Sequence, residues 1–504
     1  MRLTVRPADV NVSDPIAFMH TDDCLKLGVD VTDRVRITGR SSVVASVMIS
    51  ENPDLKGTIA LPPRVSARCG AEKGDEVSVE YCPLPESVRS IRKKIDGWTL
   101  SSEEIRSIIS DIEDGGLSDR EILSFVSAFN VNNASIREVA DLTRAMASTG
   151  SVVDLGDDLY DFHSLGGVPG NKITPIVVSI VASEGLVIPK LSSRAISSAC
   201  GTSDYVETFC DVELDDETLK KAVAQAGGVF ACGNEDYAPV GRKIISAERP
   251  MGIDPRPMML ASIMSKKVAL GTRHLLIDIP MGEGSKIPDM DVAEEFARDL
   301  SSLGEELGIN VRCTVTCADQ PIGRTIGPIL EAKECIRTLE DGDGDPTVVD
   351  KACGMAGILL EMGGRKDGEA LARKILASGK AHRKFLEIVE AQNGNPGLRS
   401  SDLVPGSYSK DVHAKRSGYV QYIDNQCMVA IAKGAGAPFD AGAGIELFHK
   451  KGDFVAEGEP LFRIYAENQA KLDRAVDSAR SRRPMKVDPK RPERISDCMV
   501  VLTF

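Results

Sequence analysis

The chain has 504 residues, 42% of them hydrophobic, and its 61 Lys and Arg against 75 Asp and Glu give a net charge of −14. That length supports several hydrophobic cores, and the acidic balance argues against a general nucleic-acid surface. No apolar run of about 18 residues and no N-terminal apolar stretch is present, so no membrane association and a cytoplasmic location are expected. Residues 1–84 alternate apolar and polar positions and are rich in β-branched side chains, as in Val43-Val-Ala-Ser-Val-Met-Ile49, which predicts a small N-terminal β barrel or sandwich. Cys82-Pro-Leu-Pro85 reads as a linker, because each proline holds the residue before it extended. In 86–150, Ile91 and Ile95, then Ile105, Ile108, Ile109 and Ile112, recur at helical spacing, which predicts a helical lobe. Ser101 or Ser102 caps one helix there, and Ser118 with Glu121 forms a capping box for the next.

From 151 to 340 strands alternate with helices, the pattern of an α/β domain with a mostly parallel sheet. A helix is expected over 173–184 and a strand over 186–189. Further strands are expected at 229–232, 275–279 and 310–316, with helices over 259–270 and 292–303. A helical connection fills 341–409, and β patterning returns in a C-terminal α+β domain over 410–504. Within it, 452–464 resembles a biotinyl/lipoyl-type half-barrel, with no lysine placed to carry a cofactor. The basic stretch 480–494 reads as a solvated segment. Twelve cysteines without a Cys-x-x-Cys pair predict reduced, mostly buried thiols and no metal site. The expected fold class is therefore multidomain α/β.

Two runs carry the chemistry. The first is Asp161-Phe-His-Ser-Leu-Gly-Gly-Val-Pro-Gly-Asn-Lys172, and the second is Ser192-Ser-Arg-Ala-Ile-Ser-Ser-Ala-Cys-Gly-Thr202. Glycine lets backbone approach an anion closely, successive N–H groups at a turn or helix start form an anion nest, and hydroxyls add donors. Arg194 contributes a guanidinium fork suited to phosphate. A glycine-rich loop, helix, strand and second polar loop follow in order, which is how an α/β sheet holds a phosphorylated ligand at its strand ends.

The paired runs resemble the pyrimidine nucleoside phosphorylase family, and the resemblance extends over most of the chain. Ile91-Arg-Lys-Lys-Ile-Asp-Gly97, Ala261-Ser-Ile-Met-Ser-Lys-Lys267, Asp319-Gln-Pro-Ile-Gly323 and residues 453–464 share it. The hydroxyl-rich Ser192-Ser-Arg-Ala-Ile-Ser-Ser198 and Gly166-Gly-Val-Pro-Gly-Asn171 are closer to the family's archaeal AMP phosphorylase branch. The resemblance implies a helical lobe and an α/β lobe with the ligand in the cleft between them. The implied reaction is phosphorolysis of AMP, with CMP and UMP as further substrates, to free base and ribose 1,5-bisphosphate. Inorganic phosphate is then the co-substrate, with no other cofactor and no metal, and a homodimer or larger homo-oligomer is expected.

The same resemblance assigns roles residue by residue. Gly167, Ser193, Arg194, Ala195, Ile196, Ser197, Ser198, Thr202, Ser262 and Lys286 are expected to bind AMP and phosphate, with Ser164 and Ser192 on the attacking phosphate. Lys266, one helical turn from Ser262, is a further candidate near the base. Asp254 is the expected proton donor to the departing purine, although an Asp-Pro pair by itself reads equally as a turn or helix cap. An aspartate serving as an acid at neutral pH needs a setting that raises its pKa. Phe162 departs from the family, which has a lysine there in contact with the attacking phosphate. Lys172 and Lys286 are the cations expected to compensate. A pyrimidine nucleoside phosphorylase that needs no 5′-phosphate and a non-catalytic nucleotide-binding homologue remain the alternatives.

Overall fold

The computed structural model describes the chain apart from residues 13–14, 133, 196–197, 234–236, 254, 283–284, 493–498 and 503–504. It divides into two compact units, one of residues 1–151 and 238–265, the other of residues 152–237 and 266–504.

In the first unit, six strands close into a barrel in the order Arg2–Pro7, Thr58–Leu61, Ile16–His20, Ser42–Ser50, Arg34–Thr38 and Glu76–Tyr81. Their inward residues, among them Leu3, Val5, Val35, Ile37, Val47, Ile59 and Val77, form one core. The period-2 alternation is what places these side chains on the inner face. Four helices follow, Ser87–Ile95, Ser102–Glu113, Asp119–Val131 and Ile136–Ala147. The last three begin with capping boxes, Ser101 with Glu104, Ser118 with Glu121 and Ser135 with Glu138. Glu138 does double duty: it closes its own cap and pairs with buried Lys94 at 2.8 Å. The Lys94 ammonium also lies 5.0 Å from the Phe129 ring centroid. Sequence patterning assigns all of 151–340 to one α/β domain. In the structure, however, the helix Val240–Glu248 packs on Ser102–Glu113 and Asp119–Val131, so residues 238–265 join the first unit.

In the second unit the central sheet has the order Met499–Leu502, Asn310–Cys317, Thr272–Met281 and Leu159–Ser164. The last three strands are parallel, and Met499–Leu502 is antiparallel at the edge. The strand at 499–502 comes from the segment assigned by sequence to a separate C-terminal domain. A parallel pair, Ile188–Ser192 with Gly228–Cys232, continues this layer beyond Leu159–Ser164, meeting it at the Leu159–Val187 bridge. Behind it runs the helix Thr174–Ser183, in which every residue from Thr174 to Ala182 is buried. Its mostly apolar sequence, with no charged residue, fits a position inside the core. Helices Pro328–Asp341, Pro346–Met362, Gly368–Ala377 and Lys380–Ala391 complete that core. Further along, two small antiparallel sheets and the packed helices Asn425–Ala435 and Gln469–Arg482 surround a separate core. No helix among the described residues is long and apolar enough to cross a membrane.

Candidate active site

Both chemistry-bearing runs leave the carboxyl ends of neighbouring strands. The bridge between Leu159 and Val187 is parallel, and Tyr160 N–H donates to the Val187 carbonyl at 2.8 Å. The Lys190 ammonium lies 4.9 Å from the Phe162 ring centroid, and Ser164 and Ser192 are the last residues of the two strands, where the loops begin. Along each strand, alternation sets Phe162 on the face of Ser164 and Lys190 on the face of Ser192.

The first loop turns through Gly166, Gly167 and Gly170, with φ of 76°, 92° and 77°. A side chain at Gly167 would press on the Lys286 backbone, 3.3 Å from the Cβ position, so the loop carrying Lys286 lies directly against this turn. At Gly170 a Cβ would meet the Ile322 carbonyl at 2.4 Å, so glycine is required there on two counts. Ser164 Oγ accepts from Gly166 N–H at 3.4 Å and from Asn171 Nδ2 at 3.3 Å, which leaves its proton to donate elsewhere. Asn171 Oδ1 and Ser192 Oγ are buried with no hydrogen-bond partner among the described residues. Buried polar atoms in that state point to a ligand or water. Lys172, expected as a cation for phosphate, is fully buried instead. It pairs with Glu334 at 2.9 Å and donates to the Ile322 carbonyl at 2.8 Å, fastening the loop to the helix Pro328–Asp341.

The second loop folds on itself. Ala195 N–H and Gly201 N–H both donate to Asp204 Oδ2, at 2.8 and 2.7 Å. Gly201 sits so close to residues 193–195 that a Cβ would fall 2.6 Å from the Ser193 carbonyl. Arg194 is half exposed and donates to both oxygens of Glu207, at 2.6 and 2.8 Å, and to Glu213 at 3.0 Å. Those carboxylates hold the guanidinium in its charged form. Three of its five N–H donors are thus engaged within the protein. Ser193 is exposed, Ser198 Oγ donates to the Cys200 carbonyl at 3.1 Å, and Thr202 opens the short helix Thr202–Val206. Ile196 and Ser197 lie outside the described residues.

Asp161, on the same strand as Ser164, anchors a charge cluster. Asp161 pairs with Lys267 at 2.5 Å and with Lys190 at 3.5 Å, and it accepts from Phe162 N–H at 2.7 Å. The Lys190 ammonium also donates to the Leu191 carbonyl at 2.8 Å and lies 4.9 Å from the Phe162 ring centroid. Asp161, Lys267 and Lys190 are 0, 2 and 5% exposed. Burial, opposed in part by Asp161, lowers Lys190 to about 8. Burial also lowers Lys266, with Lys267 adding to the effect. His163 is held well below the usual imidazole range by desolvation and by Lys267, Lys190, Lys266 and Lys286. The alignment of Phe162 with Lys190 was not visible in sequence, because Lys190 reads there as an ordinary strand residue.

Ser262 is half-buried on the helix Arg256–Ala269, and its carbonyl accepts from Ser265 Oγ at 3.2 Å. Asp254, the expected proton donor, lies outside the described residues. No group of three or more His, Cys, Asp or Glu side chains is placed to hold a metal among the described residues.

Three domain models match this chain in succession: the glycosyl transferase family helical bundle domain at residues 88–150, the glycosyl transferase family a/b domain at 156–382, and the pyrimidine nucleoside phosphorylase C-terminal domain at 419–486. The AMP phosphorylase of Pyrococcus furiosus is 43% identical over 97% of this chain and 98% of its own. That of Pyrococcus abyssi is 45% identical over the same shares, and that of Methanocaldococcus jannaschii is 41% identical over 98% of this chain and 99% of its own. Among solved structures, anthranilate phosphoribosyltransferase from Thermus thermophilus covers 60% of this chain and 99% of its own, with a TM-score of 0.51 at 20% identity, a likeness of fold. With strand-end loops of this kind and relatives this similar along nearly its whole length, the chain belongs to the AMP phosphorylase family.

Proposed function

We propose that this chain is a pentosyltransferase that phosphorolyses AMP, releasing adenine and ribose 1,5-bisphosphate. The observation that carries the reading is that the two loops leave neighbouring strand ends, with the Ser164 proton and the Ser192 hydroxyl unpartnered among the described residues, on strands that also carry Asp161 and Lys190 of the buried charge cluster. In the proposed reaction a phosphate oxygen attacks C1′ of the ribose. The C1′–N bond breaks, its electron pair leaves with the base, and Asp254 supplies the proton the base takes up. Ser164, Ser192 and Thr202 hold the attacking phosphate. Gly167, residues 193–198, Ser262 and Lys286 hold the nucleotide, and Lys266 serves near the base. Arg194 enters this scheme by bracing the loop through Glu207 and Glu213. The reading includes CMP and UMP as further substrates, a homo-oligomer, a cytoplasmic enzyme, and phosphate as the sole co-substrate without a resident cofactor.

The test is phosphate-dependent release of base from AMP, CMP, UMP and adenosine, measured side by side. Turnover of AMP far above adenosine is expected. Equal turnover of the two would make the chain a nucleoside phosphorylase, and AMP binding without base release would make it a non-catalytic homologue.

A further inference from the structure

Asp161 is the carboxylate shared by Lys190 and Lys267, and no second carboxylate lies within 4 Å of either ammonium among the described residues. Two buried cations with one buried anion leave an excess positive charge, which an interior tolerates poorly unless something else satisfies it. The Phe162 ring meets that need only in part. Its face attracts the Lys190 ammonium without cancelling the charge, where a carboxylate would cancel it and a second lysine would repel it. One pleat repeat further along each strand, about 6.6 Å on, come Ser164 and Ser192, whose hydroxyls are not fully used among the described residues. The Lys190 ammonium thus lies against the Phe162 ring, and the loop ends of the same two strands carry hydroxyls with no acceptor among the described residues.

We propose that Lys190, seated on the Phe162 ring, is the positioning residue for inorganic phosphate, its buried charge holding the dianion against Ser164 and Ser192. The proposal rests on the phosphorolysis reading for its substrate, though not for its ligand class. It assigns to the neighbouring strand the cation that position 162 does not supply. Phe162 is then part of the phosphate site by what it supports.

The experiment uses the full chain and inorganic phosphate, with calorimetric titration and steady-state kinetics on wild type, Lys190→Met, Lys190→Arg and Phe162→Leu. Lys190→Met should raise both the phosphate Kd and the KM for phosphate about 10-fold or more, while the KM for AMP moves less than about twofold. Lys190→Arg should recover most of that loss. Phe162→Leu, which keeps the ammonium and removes its seat, should weaken phosphate by roughly threefold. Should Lys190→Met fail to fold, Phe162→Leu decides alone. Unchanged phosphate affinity in the folded variants, or equal losses for phosphate and AMP, would overturn the proposal. Lys190-dependent phosphate binding in a wild type that releases no base from AMP would uphold it and instead refute the phosphorolysis reading.

Discussion

Two buried lysine sites in this chain are built to opposite specifications. Lys94 faces one carboxylate, Glu138, at 2.8 Å, and that carboxylate also accepts from the Leu100 and Ser135 N–H groups. Every charge there is answered within the helical bundle. Lys190 and Lys267 share Asp161, and the other described neighbours of the Lys190 ammonium, the Leu191 carbonyl and the Phe162 ring, carry no negative charge. The first arrangement is complete as folded; the second waits for an anion. Burial alone therefore separates neither structure from function, whereas the balance of charge within the buried group does.

The largest effect should come from breaking the balanced site. Lys94→Met leaves Glu138 buried without its cation and should destabilise the first unit by about 3–5 kcal/mol in denaturant unfolding, with the KM for phosphate unchanged. A shift in that KM would erase the distinction between the two sites.

Asp161→Asn is the matching cut in the second unit. It should cost about 2–3 kcal/mol of stability, and saturating phosphate should return more of that loss than it adds to wild type. Melting curves with and without phosphate check this. A deficit that phosphate leaves untouched would make the cluster a closed structural network like its counterpart.

A half-exposed ion group gives a third case. Arg194→Ala removes contacts to Glu207 and Glu213. Its stability cost should stay within about 1 kcal/mol, while the AMP-to-adenosine ratio of kcat/KM falls by roughly 10-fold as the loop loses its brace. An unchanged ratio would confine Arg194 to the surface.

The smallest effect is one of pH. Lys190 is lowered from 10.5 to about 8, so the unfolded chain binds more protons than the folded chain above pH 8. Its contribution to the stability of the unliganded protein therefore rises with pH between about 8 and 10.5. Phosphate binding follows the opposite trend, since the charge facing it disappears. Asp161, Lys267, Lys266, Lys286 and His163 surround the same space and set the background. Stabilisation by phosphate should be weaker at pH 9 than at pH 7, and Lys190→Met should flatten the difference.

The sequence exposed those parts of the site that are contiguous. The glycine turn, the hydroxyl run and the capping boxes at Ser101 and Ser118 all state their geometry within a few residues. The box at Ser135 has the same spelling, but nothing local shows that Glu138 also answers Lys94. Phe162 departs from the family pattern in plain view, and the sequence offers Lys172 and Lys286 as the compensating cations. Lys172 proved to be spent on Glu334, a partner far along the chain. Lys190 acquires its meaning from a strand it merely adjoins. The assignment of 238–265 to the first unit likewise depends on helix packing that no local pattern records.

The antiparallel edge strand Met499–Leu502 has a consequence for biosynthesis. The N-terminal barrel has all six of its strands once Tyr81 has emerged, so it can close while most of the chain is still unmade. The central sheet of the second unit has no such early finish. Asn310–Cys317 must wait for a partner that lies far along the chain, and until that partner is made it offers unpaired backbone to any neighbouring nascent chain. Ribosomes queued on one message would hold several such open edges close together, and pairing with Met499–Leu502 is what withdraws them.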